Sequence, residues 1–295
     1  MSNQLKSSRE DIYTRITKEI VEAMEYGPSE FAMPWHHDGS PIVRPINVAS
    51  GKPYRGVNIL ALWAAGVGLG FGSGLWGTYK QWSERGAQVR KGACASTVIF
   101  WKSADSPSAA NEADEGDEKR RGRVIARGYS VFNADQVEGF ELPETPILPE
   151  SERDANADAF LAALGIDIAA GGAEAYYTPS TDTVHLPDFE RFRDAASFYA
   201  VAIHECGHAT GAKHRLDRNL MSRFGTQTYA AEEICVELAA GFVLAELGIA
   251  HHPRPDHAAY ISSWIDLLKD DRRAIFTAAS KAQQIADWMH AQQVG

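Results

Sequence analysis

The chain has 295 residues, of which 44% are hydrophobic and 23% are charged, and its formal net charge is −10. This length and composition are typical of a globular protein with one large or two ordinary domains. They exclude a membrane-spanning protein, because no apolar run approaches the roughly 20 residues that a bilayer span needs. With no secretory signal and only three cysteines, we expect a cytoplasmic location and no membrane partner.

The charge is distributed unevenly along the chain. Residues 141–295 contain 12 Lys and Arg against 23 Asp and Glu, whereas residues 40–102 contain eight Lys and Arg against one acid, Glu84. A charge of −10 taken as a whole argues against a nucleic-acid-binding protein, but the basic segment removes that objection. We therefore expect two domains with different partners, residues 1–145 and residues 146–295.

The N-terminal half is predicted to be an α+β domain. Hydrophobic spacing and β-rich composition predict helices at 9–26, 54–66 and 77–86 and strands at 96–102 and 123–137. Residues 103–121 are small, charged and poor in apolar side chains, so we expect a mobile loop there. The turn-rich stretch 141–150 predicts the domain boundary.

The C-terminal half is predicted to be mainly helical, with a small antiparallel sheet. Helices are expected at about 151–164, 189–210 and 228–248, with two more within 256–290, and short strands at 174–178 and 183–186. Gly211 and Gly248 are expected to end the second and third of these helices. The fold class of the whole chain is therefore predicted to be α+β.

The helix expected at 189–210 carries the HExxH motif His204-Glu205-Cys206-Gly207-His208. Its spacing puts both imidazoles on one helix face, so that they can bind one metal ion, and Glu205 can then act as the general base on a water. The helix around the motif is apolar, and unpaired burial of two imidazoles would be costly, which favours a bound metal over a chance match. We therefore predict metal-assisted hydrolysis of an amide bond, with Cys206 packing off the ligand face and Tyr229 as a weak candidate for stabilising an oxyanion.

Zinc in a catalytic site takes three protein ligands and a water, and the sequence offers two candidates for the third ligand. His214 fits the metzincin spacing HExxHxxGxxH, with Met221 as a candidate Met-turn. Glu233, on the next helix, fits a gluzincin-type site in which Glu237, one turn later, orients one imidazole. Glu232 could replace Glu233 but lies about 100° further round the helix. The expected cofactor is Zn²⁺, with Mn²⁺ or another divalent ion as alternatives.

Basic and aromatic side chains alternate over residues 50–102, as in proteins that bind single-stranded nucleic acid through a basic groove and stacking rings. The candidate DNA-binding residues are Lys52, Tyr54, Arg55, Trp76, Tyr79, Lys80, Trp82, Arg90 and Lys91, followed by Trp101 and Lys102. Each tryptophan could equally belong to the core, but the excess of basic residues favours a binding surface. The glycine-rich stretch 66–74 lacks the G-x-G-x-x-G spacing, so we expect a loop rather than a nucleotide site.

These motifs, in this order, resemble the ArdC-type antirestriction proteins of conjugative plasmids over nearly the whole chain. The resemblance is carried by SGKPYRGVNILALW, LWGTYKQWSERGAQVRKG, TVIFWK, YSVFNADQVEG, HECGHATG and YAAEEICVELAAGFVLAELGI. It implies an N-terminal domain that binds single-stranded DNA, a zincin-like metallopeptidase domain, and protection of incoming plasmid DNA from host restriction. It also implies Glu233 rather than His214 as the third ligand.

Two partners follow from this resemblance: single-stranded DNA, and an unidentified protein substrate for which the host restriction machinery is one candidate. The alternative function is protection by DNA binding alone, with a structural or idle metal site. A third possibility, an acidic decoy that imitates DNA, is disfavoured by the basic segment at residues 40–102.

Overall fold

The structure is a computed structural model. It describes residues 11–25, 33, 36–37, 44–103, 124–142, 149–218, 227–252 and 258–293. The predicted mobile loop at 103–121 lies outside these residues, apart from Ser103 at the end of a strand. Met221 also lies outside them. Among the described residues, no helix has both the length and the apolar character that a bilayer crossing requires.

The N-terminal half contains the three predicted helices and the two predicted strands, together with four short strands that were not predicted. The elements are α1 (Ile12–Glu25), β1 (Ile46–Asn47), α2 (Val57–Leu69), β2 (Leu75–Gly77), α3 (Tyr79–Ser83), β3 (Gln88–Val89), β4 (Ser96–Ser103), β5 (Val124–Asn133) and β6 (Val137–Glu138). One sheet has the order β1-β2-β5-β4, in which only the β1–β2 pair is parallel, and β3 pairs with β6. The long β4–β5 pair carries most of this sheet.

Helix α2 covers one side of the β4–β5 pair and satisfies part of its open edge. The Asn58 side chain accepts a hydrogen bond from the Ile99 backbone N–H (2.7 Å) and donates one to the Ile99 carbonyl (2.8 Å). Both residues are buried, so these two backbone groups would otherwise lack a partner. This contact fixes the position of β4 and of the side chains that follow Ile99.

The C-terminal half is mainly helical with one three-stranded sheet. Its elements are α4 (Glu150–Ala163), β7 (Asp167–Ala170), β8 (Tyr176–Thr178), β9 (Thr183–Leu186), α5 (Ala195–Ala209), α6 (Gln227–Leu247), α7 (Ala258–Asp270) and α8 (Ala274–Ala291). The predicted β8–β9 hairpin is antiparallel, but a further strand, β7, pairs with β9 in parallel, so the sheet is mixed. The α+β fold class is confirmed.

Helix α5 begins later and ends earlier than predicted. Residues 189–191 form a separate 3₁₀ turn, and Asp194 caps α5 by accepting a hydrogen bond from the Ser197 backbone N–H (2.7 Å). The helix ends at Ala209, one residue before the predicted Thr210, and Gly211 follows without a positive φ; the Thr210 hydroxyl donates to the Gly207 carbonyl (2.7 Å). Gly248, at φ 69°, does end α6 as predicted.

Replacement of Asp194 by alanine is expected to lower the free energy of unfolding by about 1 kcal/mol at neutral pH, because α5 loses its cap. Hydrogen bonding to Ser197 lowers the pKa of Asp194 to about 2, from an ordinary value of 3.8. The cap is therefore fully effective above the ordinary value and is lost as the pH falls through about 2. Urea unfolding at neutral pH and at about pH 3 should show the difference shrinking at the lower pH.

The matched control is Asp188→Ala, because Asp188 precedes the 3₁₀ turn without forming a side-chain cap. Equal losses for the two variants at neutral pH would contradict a capping role for Asp194.

Buried side chains from both halves form one hydrophobic cluster. It contains Ile16 of α1, Leu60 of α2, Ile203 of α5 and Ile285 of α8, each fully buried. Helix α1 packs on α7, and α2 packs on α8. The domain boundary between residues 145 and 146 therefore stays a prediction, since the halves on either side of it share a core.

Candidate metal centre

Two neighbouring helices bring three predicted ligands together. His204 and His208 project from α5, and Glu233 projects from α6. The His204 and His208 Nε2 atoms are 3.2 Å apart, and each lies 3.4 Å from a different Glu233 oxygen. His204 and Glu233 are buried, and His208 is nearly so. The structure thus brings His204, His208 and Glu233, the three residues predicted to be metal ligands, around one point.

The spacing of these atoms fits one small cation. Ligands about 2.0–2.2 Å from a tetrahedral metal ion lie about 3.3–3.6 Å from one another. The observed separations of 3.2–3.4 Å are close to that edge length. Two imidazoles and a carboxylate form a donor set typical of zinc and of other divalent transition metals. The residues therefore fit a divalent ion without rearrangement of the backbone.

Gly207 allows the two ligand-bearing helices to approach closely. A Cβ atom at this position would lie 2.6 Å from the Val236 Cγ1 atom on α6, which is too short for a contact between two carbons. Val236 is fully buried and lies one turn after Glu233. The glycine inside the HExxH motif therefore sets the α5–α6 distance that the three ligands require.

The Gly207→Ala variant is expected to lose about 1–3 kcal/mol of stability and to bind metal more weakly, because α6 must move away from α5. Urea unfolding and a metal titration would measure the two effects. Gly68→Ala is the matched control, since Gly68 is also helical but has nothing within 4 Å of an added Cβ; it should be neutral or slightly stabilising. An unchanged metal affinity in Gly207→Ala would refute the spacing argument.

Glu205 lies beside the ligand cluster. Its side chain is only 8% exposed and forms no hydrogen bond or ion pair with the residues that the structure describes. Its charge contributes to raising the pKa of both His208 and Cys206, so the carboxylate is close to both side chains. A buried carboxylate that none of the described residues engages is available to accept a proton from a water or a substrate.

Each ligand histidine faces a second carboxylate through its other ring nitrogen. The Nδ1 atom of His204 lies 3.2 Å from Glu237, the residue predicted to orient one of the ligand imidazoles. The Nδ1 atom of His208 lies 3.9 Å from Glu232, which is an ion-pair distance rather than a hydrogen bond. Glu232 is held by Arg218, whose Nη2 donates to it at 2.8 Å. Glu232 is therefore placed behind His208 and not in the position of Glu233.

The pKa shifts reflect this dense packing of opposite charges. Burial lowers the pKa of His208, but the carboxylates of Glu232 and Glu233 outweigh burial and raise it to about 10. Burial also raises the pKa of Glu233, but hydrogen bonding to His204 and His208 outweighs burial and holds that pKa below its usual range. A bound cation would neutralise the same carboxylates as the proton on His208 does, so metal ions and protons compete for this site.

His214, the alternative third ligand, is not part of the cluster. Its side chain is 63% exposed, and its Nε2 atom lies 3.3 Å from Asp182. Asp182 lies in the β8–β9 turn and also accepts two hydrogen bonds from Arg215, at 2.6 and 3.0 Å. The segment that follows the HExxH motif is thereby tied to the hairpin, which accounts for the position of His214. The metzincin-type ligand set is not formed.

Two further predictions concern residues near the site. Cys206 is fully buried, and burial raises the pKa of its thiol to about 12, in agreement with a packing role. The side chain of Tyr229, a weak candidate for stabilising an oxyanion, lies outside the described part of the chain. Three residues that were not predicted from the sequence contact Glu237 or Glu232: His36, His251 and Arg218.

Three of the predicted DNA-stacking aromatics are core residues. Trp82 is fully buried and its Nε1 donates to the Phe132 carbonyl (3.0 Å), and Trp76 and Tyr54 are 2% and 5% exposed. The two tryptophan rings are covered by the protein, so bases cannot stack on them, whereas Tyr54, although largely buried, also lines the pocket described below. Composition alone cannot separate a core tryptophan from a surface one.

The remaining predicted DNA-binding residues are on the surface. They are Lys52, Arg55, Tyr79, Lys80, Arg90, Lys91 and Trp101, while the side chain of Lys102 lies outside the described part of the structure. Several are already paired: Arg55 with Asp287, Lys80 with Glu84, and Arg90 with Glu138. Such exposed ion pairs are weak and can exchange for phosphate contacts.

A pocket of about 760 Å³ opens beside these residues on the N-terminal half. Lys52 and Arg55 line it together with Phe100, Trp101 and Tyr129. Phe100 and Trp101 are about half exposed, and the rings of Phe100 and Tyr129 meet edge to face at 5.5 Å. The pocket combines exposed aromatic faces with positive charge, which is the combination that single-stranded nucleic acids require.

Comparison with known proteins agrees with both halves of this description. Residues 155–281 match the family of zincin-like metallopeptidases, and residues 10–132 match the N-terminal domain of the anti-restriction factor ArdC. The fold and the HExxH-centred site therefore define a zincin-like protein with an ArdC-type N-terminal half.

Relatives over the full length of the chain identify the family. The chain is 58% identical over 96% of its length to the uncharacterized protein y4eC of Sinorhizobium fredii, of which it covers 92%. Crystal structures of the antirestriction protein ArdC of plasmid R388, metal-free and Mn(II)-bound, are 36% identical, with TM-scores of 0.78 and 0.76; they are matched over 98% and 99% of their chains and 96% and 97% of this one. The chain belongs to the ArdC family of antirestriction proteins.

A third relative is much longer. The chain is 36% identical over 93% of its length to the DNA primase TraC of Escherichia coli, but it spans only 19% of that primase. The zincin-like family and the Mn(II)-bound relative indicate a divalent metal ion, without deciding which one.

Proposed function

We propose that the protein is an antirestriction factor that binds single-stranded DNA through its N-terminal half and hydrolyses peptide bonds at a divalent metal site in its C-terminal half. The observation that carries the hydrolytic part is the position of Glu205, buried and unengaged by described residues, beside three ligand atoms that are 3.2–3.4 Å apart. A purely structural metal site does not need such a carboxylate, because structural sites are closed by protein ligands alone.

The chain's own residues supply the parts of a hydrolytic mechanism. His204, His208 and Glu233 would hold Zn²⁺ or Mn²⁺, which when bound acidifies a water and polarises a carbonyl group. Glu205 accepts the proton of the attacking water and later donates it to the leaving amine. Glu237 holds His204, and the Arg218–Glu232 pair lies behind His208, so both imidazoles keep one orientation.

The edge of the C-terminal sheet offers a binding surface for an extended peptide. Strand β8 is an edge strand that packs against α5, the helix that carries the HExxH motif. Tyr176 on β8 is 48% exposed and stacks on His185 of β9 at 4.6 Å. An extended substrate could add to β8 through backbone hydrogen bonds, which positions a peptide bond without requiring a particular side chain.

Protection by DNA binding without proteolysis is the second candidate. The observation that favours it is the pocket lined by Lys52, Arg55, Phe100 and Trp101, which is suited to strand coating by itself. The two candidate functions predict different results with a host cell lysate, because only the hydrolytic function produces new peptide termini.

To test the proposal, purified protein loaded with Zn²⁺ or Mn²⁺ would be incubated with a host lysate, with and without single-stranded DNA. New peptide termini, identified by mass spectrometry and absent with the Glu205→Gln variant, would support the hydrolytic part. An equal set of termini for both proteins, or none in any host lysate despite bound metal, would leave only the second candidate.

Loss of one stacking ring is expected to weaken DNA binding measurably. Trp101→Ala should lower the affinity for single-stranded DNA by about 5–150-fold, because base stacking is worth about 1–3 kcal/mol per base. Fluorescence anisotropy with a labelled oligonucleotide would measure it. Tyr176→Ala is the matched control, since Tyr176 is equally exposed but lies on the C-terminal sheet. Equal affinities for Trp101→Ala and the wild type would remove this pocket from the DNA-binding surface.

A further inference from the structure

A second cluster of titratable side chains lies directly behind the metal site. The carboxylate of Glu237 is fully buried and contacts three imidazoles. One oxygen lies 3.2 Å from Nδ1 of His204; the other lies 3.3 Å from Nε2 of His36 and 3.2 Å from Nε2 of His251. The side chains of His36 and His251 are 4% and 1% exposed. Such a cluster could be a second metal site or a hydrogen-bonded support for the first.

The backbone fixes the protonation of His36. The Met33 backbone N–H donates a hydrogen bond to Nδ1 of His36 at 3.0 Å. A ring nitrogen that accepts a hydrogen bond carries no proton, so the proton of the neutral ring is on Nε2. That nitrogen has no lone pair for a metal ion and is a donor towards Glu237. A metal on Nε2 would require the proton on Nδ1, where it would face the Met33 N–H.

This arrangement determines the tautomer of His204. An ionised carboxylate only accepts hydrogen bonds, so each imidazole nitrogen beside Glu237 acts as a donor. His204 therefore carries its proton on Nδ1, and its Nε2 lone pair points towards His208 and Glu233. His204 can then bind a metal ion in the orientation that the site needs.

We propose that His36 and His251 are positioning residues of the metal site: they hold the Glu237 carboxylate in place, and Glu237 in turn fixes the orientation and tautomer of His204. This inference rests on the proposed metal site. Under this proposal the N-terminal half supplies a part of the metal site. His36 lies within residues 10–132, which match the N-terminal domain of ArdC, whereas the ligands lie within residues 155–281, which match the zincin-like family.

The backbone near His36 is joined to the C-terminal half beside this cluster. His37 and His251 form a reciprocal pair of backbone hydrogen bonds, with N–O distances of 2.9 and 2.8 Å. The rings of His36 and His251 meet edge to face at 5.1 Å. The segment that carries His36 is thus attached at the end of α6, which brings both donors to the same Glu237 oxygen.

The test compares the metal affinities of full-length variants. Titration of Zn²⁺ and Mn²⁺ against a chromophoric chelator should show an affinity about 10–100-fold lower for His36→Leu and for His251→Leu, because Glu237 loses a donor. His36→Gln should recover most of the loss, since its amide places an N–H near the position of Nε2. His214→Leu, an exposed imidazole outside the site, is the control and should match the wild type.

A double-mutant cycle separates positioning from general stability. If His36 acts through Glu237, His36→Leu should cost no further metal affinity in a Glu237→Ala background. A residue that only stabilises the fold would lower the unfolding temperature of the metal-free protein and give the same fractional loss of affinity in both backgrounds. That second result would overturn the proposal, and so would wild-type affinity in His36→Leu and His251→Leu. If one leucine variant fails to fold, the other leucine variant and His36→Gln give the same comparison.

Metal stoichiometry decides between this proposal and a second metal site. The wild type should bind one ion per chain; two ions, falling to one in His36→Leu, would overturn the proposal. A wild type that binds no metal would refute the proposed metal site and this inference together. A wild type that binds metal but cleaves no peptide would refute only the proposed hydrolysis, and the affinity comparison would still decide the roles of His36 and His251.

Discussion

The Glu205→Gln variant is expected to bind metal like the wild type but to hydrolyse peptide bonds about 10²–10⁴-fold more slowly, the usual contribution of a general acid–base group. Glutamine has the same shape as glutamate but cannot accept the proton of the attacking water. The side chain contacts no described residue through a hydrogen bond or ion pair, so the fold should tolerate the change. Metal content by mass spectrometry and cleavage of the substrate found in the lysate experiment would measure the two properties.

The same variant separates the two candidate functions in the cell. If plasmid transfer into a restricting host requires proteolysis, Glu205→Gln should lose protection, whereas Trp101→Ala should lose it only through weaker DNA binding. Full protection by Glu205→Gln, with its metal in place, would show that hydrolysis is not needed for antirestriction. The DNA-binding candidate would then be favoured.

The Glu233→Ala variant is expected to lose metal affinity by more than about 100-fold, since changes to groups that merely orient the ligands already cost 10–100-fold. Removal of the carboxylate also leaves the buried His204 and His208 without their anionic partner. Isothermal titration with Zn²⁺ and Mn²⁺ would measure the loss.

His214→Ala and Glu232→Ala are informative comparisons for this prediction. His214 is exposed and lies on Asp182, so its removal should leave metal affinity unchanged. Glu232 faces His208 at 3.9 Å, so its removal should have an effect intermediate between those of the other two variants. The reverse order, with His214→Ala the most damaging, would favour the metzincin-type ligand set and would contradict the geometry.

The parts of the site that could be predicted from the sequence depend on contacts within one helix. The HExxH motif fixes His204, Glu205 and His208 through helical spacing, and the same spacing puts Glu233 and Glu237 on one face of α6. Only the contact between α5 and α6 depends on residues that are far apart in the sequence. The residues alone left His214 and Glu233 open as the third ligand, and only the resemblance to the ArdC-type proteins favoured Glu233.

His36 and His251 could not be predicted in this way. The contact of His36 with Glu237 joins residues 201 positions apart, and no helical or strand periodicity includes it. The sequence does contain one signal, since His36-His37 and His251-His252 are both histidine pairs among only ten histidines. Such a pair does not identify its partner, and the partner depends on the packing of the whole chain.

The surface of the N-terminal half was predicted less well, because a tryptophan has the same propensities in a core as in a binding site. Trp76 and Trp82 are core residues, whereas Trp101 lies beyond the buried pair Val98 and Ile99, on the exposed part of β4. Strand β7 was missed because four residues, two of them alanine, give too short a pattern to distinguish a strand from a turn.

The hydrophobic cluster that runs through both halves has a consequence for how such sequences are inherited. A recombination event within it would separate apolar faces that need each other and would leave each fragment prone to aggregation. Gene exchange should therefore transfer the whole segment as one unit. The primase TraC agrees with this expectation, because its similar segment matches 93% of this chain although it makes up only 19% of the primase.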